Sequence, residues 1–180
     1  MDLPKFRYHP DPIASGSIVA SEKVCACCDT ARGFVYTASV YCEAELDDEA
    51  LCPWCIADGS AHEKFDASFT DFSGLPDNLP PDIAEEIAFR TPGFSTWQPE
   101  RWLGCCGDAA TFLEPIGTAE MRERYPKLDG VLMGFIVYDL QISGRAAVNL
   151  LENLHRDGGP TAYVFACRHC DFQPAYVDLP

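Results

Sequence analysis

Cysteine carries the chemistry suggested by this sequence. Cys25 and Cys28 are two residues apart, as are Cys52 and Cys55, giving the pattern C-x2-C-x23-C-x2-C. Paired cysteines at this spacing form a Zn2+ frame, because one tight turn presents both thiolates of a pair. Zn2+ takes four tetrahedral ligands, with sulfur at about 2.3 Å. A second constellation joins Cys105-Cys106 to Cys167-x-x-Cys170. Cys106, Cys167 and Cys170 supply three ligands there, and Cys105, Asp108 or His169 completes the set. Adjacent side chains tend to diverge. Thiolate-rich sites nevertheless attract zinc, so Cys105 is taken as the fourth. Two Zn2+ ions are expected, held by Cys25, Cys28, Cys52 and Cys55 and by Cys105, Cys106, Cys167 and Cys170.

Other thiol chemistry fits parts of the pattern. Cys52-Pro53-Trp54-Cys55 alone has the form of a dithiol redox motif, and the vicinal Cys105/Cys106 pair that of a redox switch. A thioredoxin-like fold wants an apolar strand before the pair, whereas Glu43 to Leu51 is acidic. A zinc hydrolase would need an open coordination position and a base, which three cysteines with Asp108 or His169 nearby would offer. No serine–histidine–acid set, phosphate loop or dinucleotide fingerprint is present. No catalytic residue is assigned. Cys27 and Cys42 read as packed residues. His9 reads as packed or solvated beside a turn, and Asp58 and His62, four apart, as a local pair.

These cysteines need elements to bring them together. Residues 1–24 read as extended, with an edge strand near Gly16 to Ala20. A knuckle at 25–28 leads into a hairpin, 34–36 pairing near 39–42. Pro53 then suits the first turn of a helix carrying the second pair, whose N-terminus favours thiolate charge. Gly59 weakens that helix over 53–63. Knuckle, hairpin and helix are the layout of a treble-clef finger. Residues 66–81 form a loop, and a helix over 82–89 stops at Thr91-Pro92-Gly93. Phe94, Trp97 and Trp102 are assigned mainly to the core. Ala109 to Leu113 is read as following a helix N-terminus at Asp108 or a cysteine. A helix covers 118–125, Gly130 to Leu140 reads as a buried strand, and 143–155 is a helix stopped by Gly158-Gly159-Pro160. Strands close the chain at 161–166 and 175–177. A weak repeat links the two knuckles: Cys25-x-x-Cys28-Asp29 precedes Tyr36, and Cys167-x-x-Cys170-Asp171 precedes Tyr176. The fold class is α+β, a treble-clef-like finger followed by a second zinc-knuckle frame. The division is 1–72 and 82–180, or one continuous domain.

Charge narrows the partners. Thirteen basic against 28 acidic residues give −15, and each four-thiolate zinc site adds about −2. Such a surface repels phosphate backbones and disfavours DNA or RNA. It speeds encounter with a basic protein. No stretch has the ~20 apolar residues of a membrane span. The start, Met1 to Arg7, lacks a signal-peptide core, so a cytoplasmic location is expected, where cysteine serves metal more readily than disulfides. Oligomeric state is not legible.

Phe6-Arg7-Tyr8-His9-Pro10-Asp11-Pro12, Cys25-Ala26-Cys27-Cys28, Cys52-Pro53-Trp54-Cys55-Ile56-Ala57-Asp58-Gly59-Ser60-Ala61, Arg90-Thr91-Pro92-Gly93-Phe94-Ser95, Cys106-Gly107-Asp108-Ala109-Ala110 and Cys167-x-x-Cys170 together resemble the CbrC family of bacterial proteins over nearly the whole chain. Where that family has a histidine before its Cys-Gly-Asp, this chain has Cys105, another zinc-binding residue type. The family is associated by name with tolerance to a nuclease colicin. The resemblance therefore implies a basic nuclease toxin as partner and an immunity-type role, with no established reaction.

Overall fold

Strands β1 (Ile18–Ala20) and β2 (Phe34–Tyr36) pair antiparallel, Ile18 opposite Tyr36, in a computed structural model that describes residues 2–180. The partner of β2 is therefore β1, and the expected hairpin of 34–36 with 39–42 does not form. Tyr41 instead makes an isolated bridge to Ser68. Burial explains the choice: Ile18 and Tyr36 are both enclosed in a core with Phe6, Leu51, Ile56 and Phe69. Within 39–42, Val40 and Cys42 reach the same core but remain only partly buried, whereas Ile18 is fully enclosed.

Helix α1 (Pro53–Ala57) starts with Pro53 in its first turn, where the absent N–H is not missed. The helix expected over 53–63 is broken. Gly59, at φ +84°, turns the chain into α2 (Ser60–Phe65), a left-handed conformation glycine adopts without steric cost. Helix α3 (Pro81–Arg90) follows. Strands β3 (Gly104–Cys105) and β4 (Asp108–Ala109) then form a tight ribbon, where a helix start was expected. The residues beyond it continue as β5 (Thr111–Ile116), whose alternating burial is the period-two signature of a strand.

Helices α4 (Thr118–Arg124), α5 (Leu128–Tyr138) and α6 (Gly144–Glu152) precede β6 (Thr161–Ala166) and β7 (Ala175–Asp178). The main sheet is antiparallel in the order β5-β6-β7. Residues 130–140, read as a strand, lie largely in α5. Apolar residues run all round this segment, so its period is hidden. Leu128, Leu132 and Ile136, one helical face, are its fully buried positions. An extended segment of this length would also overshoot β5 and β6, each of six residues.

Three hydrophobic centres result. One lies under the helices, with Ile116, Leu132, Ile136, Leu151, Val164 and Val177. The second surrounds Cys25, Cys52 and Cys55. The third is aromatic: Phe94 stacks on Phe112 at 3.9 Å, beside Trp102, Tyr163, Phe165 and Tyr176, and Tyr8 and Ile87 join it from earlier in the chain. Phe94 and Trp102 are core residues, whereas Trp97 is 53% exposed. Among the described residues, no helix is long and apolar enough to cross a membrane.

Candidate metal centres

The first knuckle is built by backbone bonds. Asp29 N–H donates to the Cys25 carbonyl at 2.8 Å and Cys25 N–H to Thr30 at 3.1 Å, with Asp29 at φ 52° closing the turn. Ala26 N–H donates to Ala50 at 2.8 Å, which draws the knuckle toward the second pair. From α2, Lys64 Nζ donates to the carbonyls of Ala26 and Cys27 at 2.8 and 2.9 Å. Cys52 is the extended residue before α1, and Cys55 lies within the helix. Cys52 N–H donates to Cys25 Sγ at 3.3 Å.

The four sulfurs of Cys25, Cys28, Cys52 and Cys55 lie within 4.8 Å of one another. Cys25–Cys55 and Cys28–Cys52 are 3.9 Å apart, and Cys52–Cys55 3.5 Å. A tetrahedral ion with sulfur at about 2.3 Å has sulfur–sulfur edges of about 3.8 Å. The group therefore fits a four-coordinate metal. The Cys52 thiol donates to Cys25 and holds it down at about 4. Cys52 is pushed up chiefly by being that donor, and burial pushes Cys55 up to about 12. Four negative sulfurs at these separations repel strongly unless a cation lies among them, so metal entry releases protons.

The second group is assembled differently. The β3–β4 ribbon turns through Cys106 at φ 54° and Gly107 at φ 76°, the two positive values that a two-residue type I′ hairpin requires. Cysteine in this left-handed region costs about 1–2 kcal/mol, a local strain of the kind found at functional sites. The turn brings Cys105 and Cys106 Sγ to 3.7 Å despite their adjacency. Cys170 Sγ lies 3.8 Å from each. Cys167, after β6, is held by its N–H bond to Phe172 at 2.9 Å. His169 N–H donates to Cys167 Sγ at 3.4 Å and is the main reason that this thiol sits down at about 6. These four sulfurs also lie within 4.8 Å of one another.

Asp108 and His169, the other candidates for fourth ligand, bond each other instead, Nε2 to Oδ2 at 2.7 Å. Asp108 also receives Arg168 Nη1 at 2.7 Å and Tyr8 Oη at 2.8 Å. Burial works against its ionisation, but these donors outweigh burial and hold the carboxyl below its ordinary range. Arg168 stands beside a ligand-type cysteine and could have been noticed. Tyr8 is 100 residues from Asp108, and nothing local announces that contact.

The two groups differ in setting. Cys25, Cys52 and Cys55 are buried and Cys28 half-buried, whereas Cys106 and Cys170 are exposed and Cys105 and Cys167 half-buried. Cys27 Sγ lies 3.6 Å from Ser60 Oγ and Cys42 Sγ 3.3 Å from the Ala44 carbonyl, outside both groups. His9 is wholly buried, its Nδ1 2.8 Å from the Pro92 carbonyl and its Nε2 2.7 Å from Ser15 Oγ. Asp58 and His62 do not pair. Asp58 accepts from Ser60 at 2.6 Å, while His62 donates to the Ala67 carbonyl at 3.1 Å and stacks on Phe89.

A family model described as "Uncharacterised protein family (UPF0167)" matches residues 3–179, and the chain belongs to that family. A UPF0167 protein of Mycobacterium bovis and another of Mycobacterium tuberculosis are each 48% identical over 178 residues, covering 98% of this chain and 94% of theirs. A UPF0167 protein of Pseudomonas aeruginosa is 45% identical, covering 98% of this chain and 96% of its own. These matches overturn the CbrC assignment made on shared motifs, and the colicin-tolerance expectation loses its basis with it. No solved structure matches the chain.

Proposed function

Taking UPF0167 membership and the two sulfur groups as premise, we propose that this protein is an acidic protein-interaction module whose scaffold is held by two structural Zn2+ ions. The observation that carries the reading is the pair of four-sulfur groups, each with all its sulfurs within 4.8 Å of one another and three contacts of 3.5–3.9 Å, against the edge of about 3.8 Å for zinc thiolate geometry. All-thiolate donors favour zinc over harder divalent ions. The knuckle, β2 and α1 support a treble-clef-like first site, with β1 as the strand partner. Four sulfurs fill a tetrahedral shell, which favours structural ions over a hydrolase with an open position.

The partner in this proposal is a basic protein. The chain carries −15 before any zinc thiolate charge is counted. Glu43, Glu45, Asp47 and Asp48 lie exposed on one loop. Beyond the charge, Trp97, Phe72 and Phe172 are half-exposed aromatics that can anchor a contact.

The test begins with metal content by native mass spectrometry and counting of free thiols. Two zinc ions and eight protected thiols are expected. Binding to a panel of lysine- and arginine-rich proteins follows, at low and at high salt. The proposal predicts complexes that weaken as salt shortens the Debye length. Fewer than two ions refutes the scaffold, and absence of binding across the panel refutes the partner class.

A further inference from the structure

We propose that the exposed cysteine group is a modification site for hydroperoxides, at which Cys106 and Cys170 close a disulfide while Cys25, Cys28, Cys52 and Cys55 stay reduced. The inference rests on the two metal-bound thiolate groups proposed above and adds a reaction to one of them.

Three observations carry it. Cys106 and Cys170 are the exposed members of the group, and their sulfurs are 3.8 Å apart. A disulfide bond is about 2.05 Å long, so the sulfurs must approach by about 1.7 Å. Cys106 lies exposed in a two-residue hairpin turn, where its sulfur is open to a small peroxide. The first group offers no such opening. Three of its cysteines are buried in the core beside Ile18, Leu51 and Ile56, and Trp54 packs on Phe34 with Arg32 over its ring. Adjacent Cys105 and Cys106 are poor disulfide partners, because neighbouring Cα atoms at about 3.8 Å are closer than disulfides normally allow.

The reaction balances as follows. One thiolate attacks a peroxide oxygen, the O–O bond breaks, and a sulfenic acid forms with release of hydroxide or alkoxide. The second thiolate attacks the sulfenic sulfur, the S–S bond forms, and hydroxide leaves. Two thiolates are oxidised by one hydroperoxide, which is reduced by two electrons. Two of the four sulfurs that would hold an ion are thereby withdrawn, which would release it. A dithiol reductant reverses the step by exchange.

A Cys27→Ser/Cys42→Ser chain keeps all eight clustered thiols and removes the two outside them. It is loaded with zinc, its metal is counted, and one equivalent of hydrogen peroxide is added with a chromogenic zinc chelator present. After alkylation, non-reducing peptide mapping locates the linkage. One zinc per chain is released, Cys106 is linked to Cys170, and dithiothreitol followed by zinc restores the starting state. A first linkage anywhere else, release from both groups at equal rates, or persistence of all reduced thiols under about tenfold peroxide excess overturns the inference. A starting content below two ions instead refutes the scaffold reading, and the peptide map still decides whether the Cys106–Cys170 pair oxidises first.

Discussion

Acid should weaken this protein through His9, and by an amount the structure sets. The imidazole is fully enclosed, edge-on to Phe112 at 4.9 Å. Burial disfavours the imidazolium and holds the pKa at about 4, against an ordinary 6.5, although the Pro92 carbonyl and Asp11 pull the other way. Between those values the unfolded chain binds the proton and the folded chain does not. Stability is therefore complete above pH 6.5, falls as pH drops through the window, and levels off below about 4. The whole window corresponds to about 3 kcal/mol, of which about 2 kcal/mol is lost between pH 7 and 5. The assay is urea unfolding of the zinc-loaded protein at several pH values, wild type beside His9→Gln. Protonation of the clustered thiolates contributes to both chains and cancels in the difference. His9→Gln starts less stable and converges on wild type as pH falls. Parallel curves would refute the reasoning, since they would mean that His9 titrates alike folded and unfolded.

Other substitutions separate the parts of the structure. Cys55→Ala should remove one metal ion and more than about 4 kcal/mol, because its ligand group forms part of a core. Cys170→Ala should also remove one ion but cost less, as denaturation and metal counting will show. Gly93→Ala places a Cβ 2.1 Å from the Phe69 carbonyl and 2.9 Å from Tyr36 Oη, and should lower stability by about 2–3 kcal/mol in the same assay. Glu114 accepts Arg124 at 2.6 Å, Arg156 at 3.0 Å and Tyr125 at 2.7 Å. Glu114→Ala strands all three donors and should cost about 2–3 kcal/mol, visible as a lower thermal midpoint.

Local chemistry explains which features could be read from the sequence. The spacing of Cys25, Cys28, Cys52 and Cys55 is set by a tight turn and one helix start, so four sulfurs could be grouped without a fold. Helix α3 shows its period, and β6 and β7 show as short apolar runs beside turn residues. Segment 130–140 hides its period because positions off its fully buried face, such as the partly buried Met133 and Val137 and the exposed Tyr138, are also apolar or aromatic. The turn at Cys106-Gly107 depends on two positive φ values, which are common for glycine but not for cysteine. The partner of β2 was decided by Ile18, a contact between distant segments rather than a hairpin signal. The Tyr8–Asp108–Arg168–His169 network has the same character. It exists only because the N-terminal segment reaches the β5 edge of the main sheet, where Phe112 N–H donates to the Tyr8 carbonyl at 2.8 Å.

The intervals between paired cysteines carry a consequence for synthesis. All four sulfurs of the first proposed metal site lie within residues 25–55, so that site could be loaded on a nascent chain while most of the polypeptide is unmade. The second proposed site is complete only when residue 170 has left the ribosome, after residues 107–166 have begun laying down the sheet that delivers the last two sulfurs. Its longer closure costs about 0.8 kcal/mol more in chain entropy. If both sites take metal as proposed, the two ions should therefore be acquired in a fixed sequence, early and late.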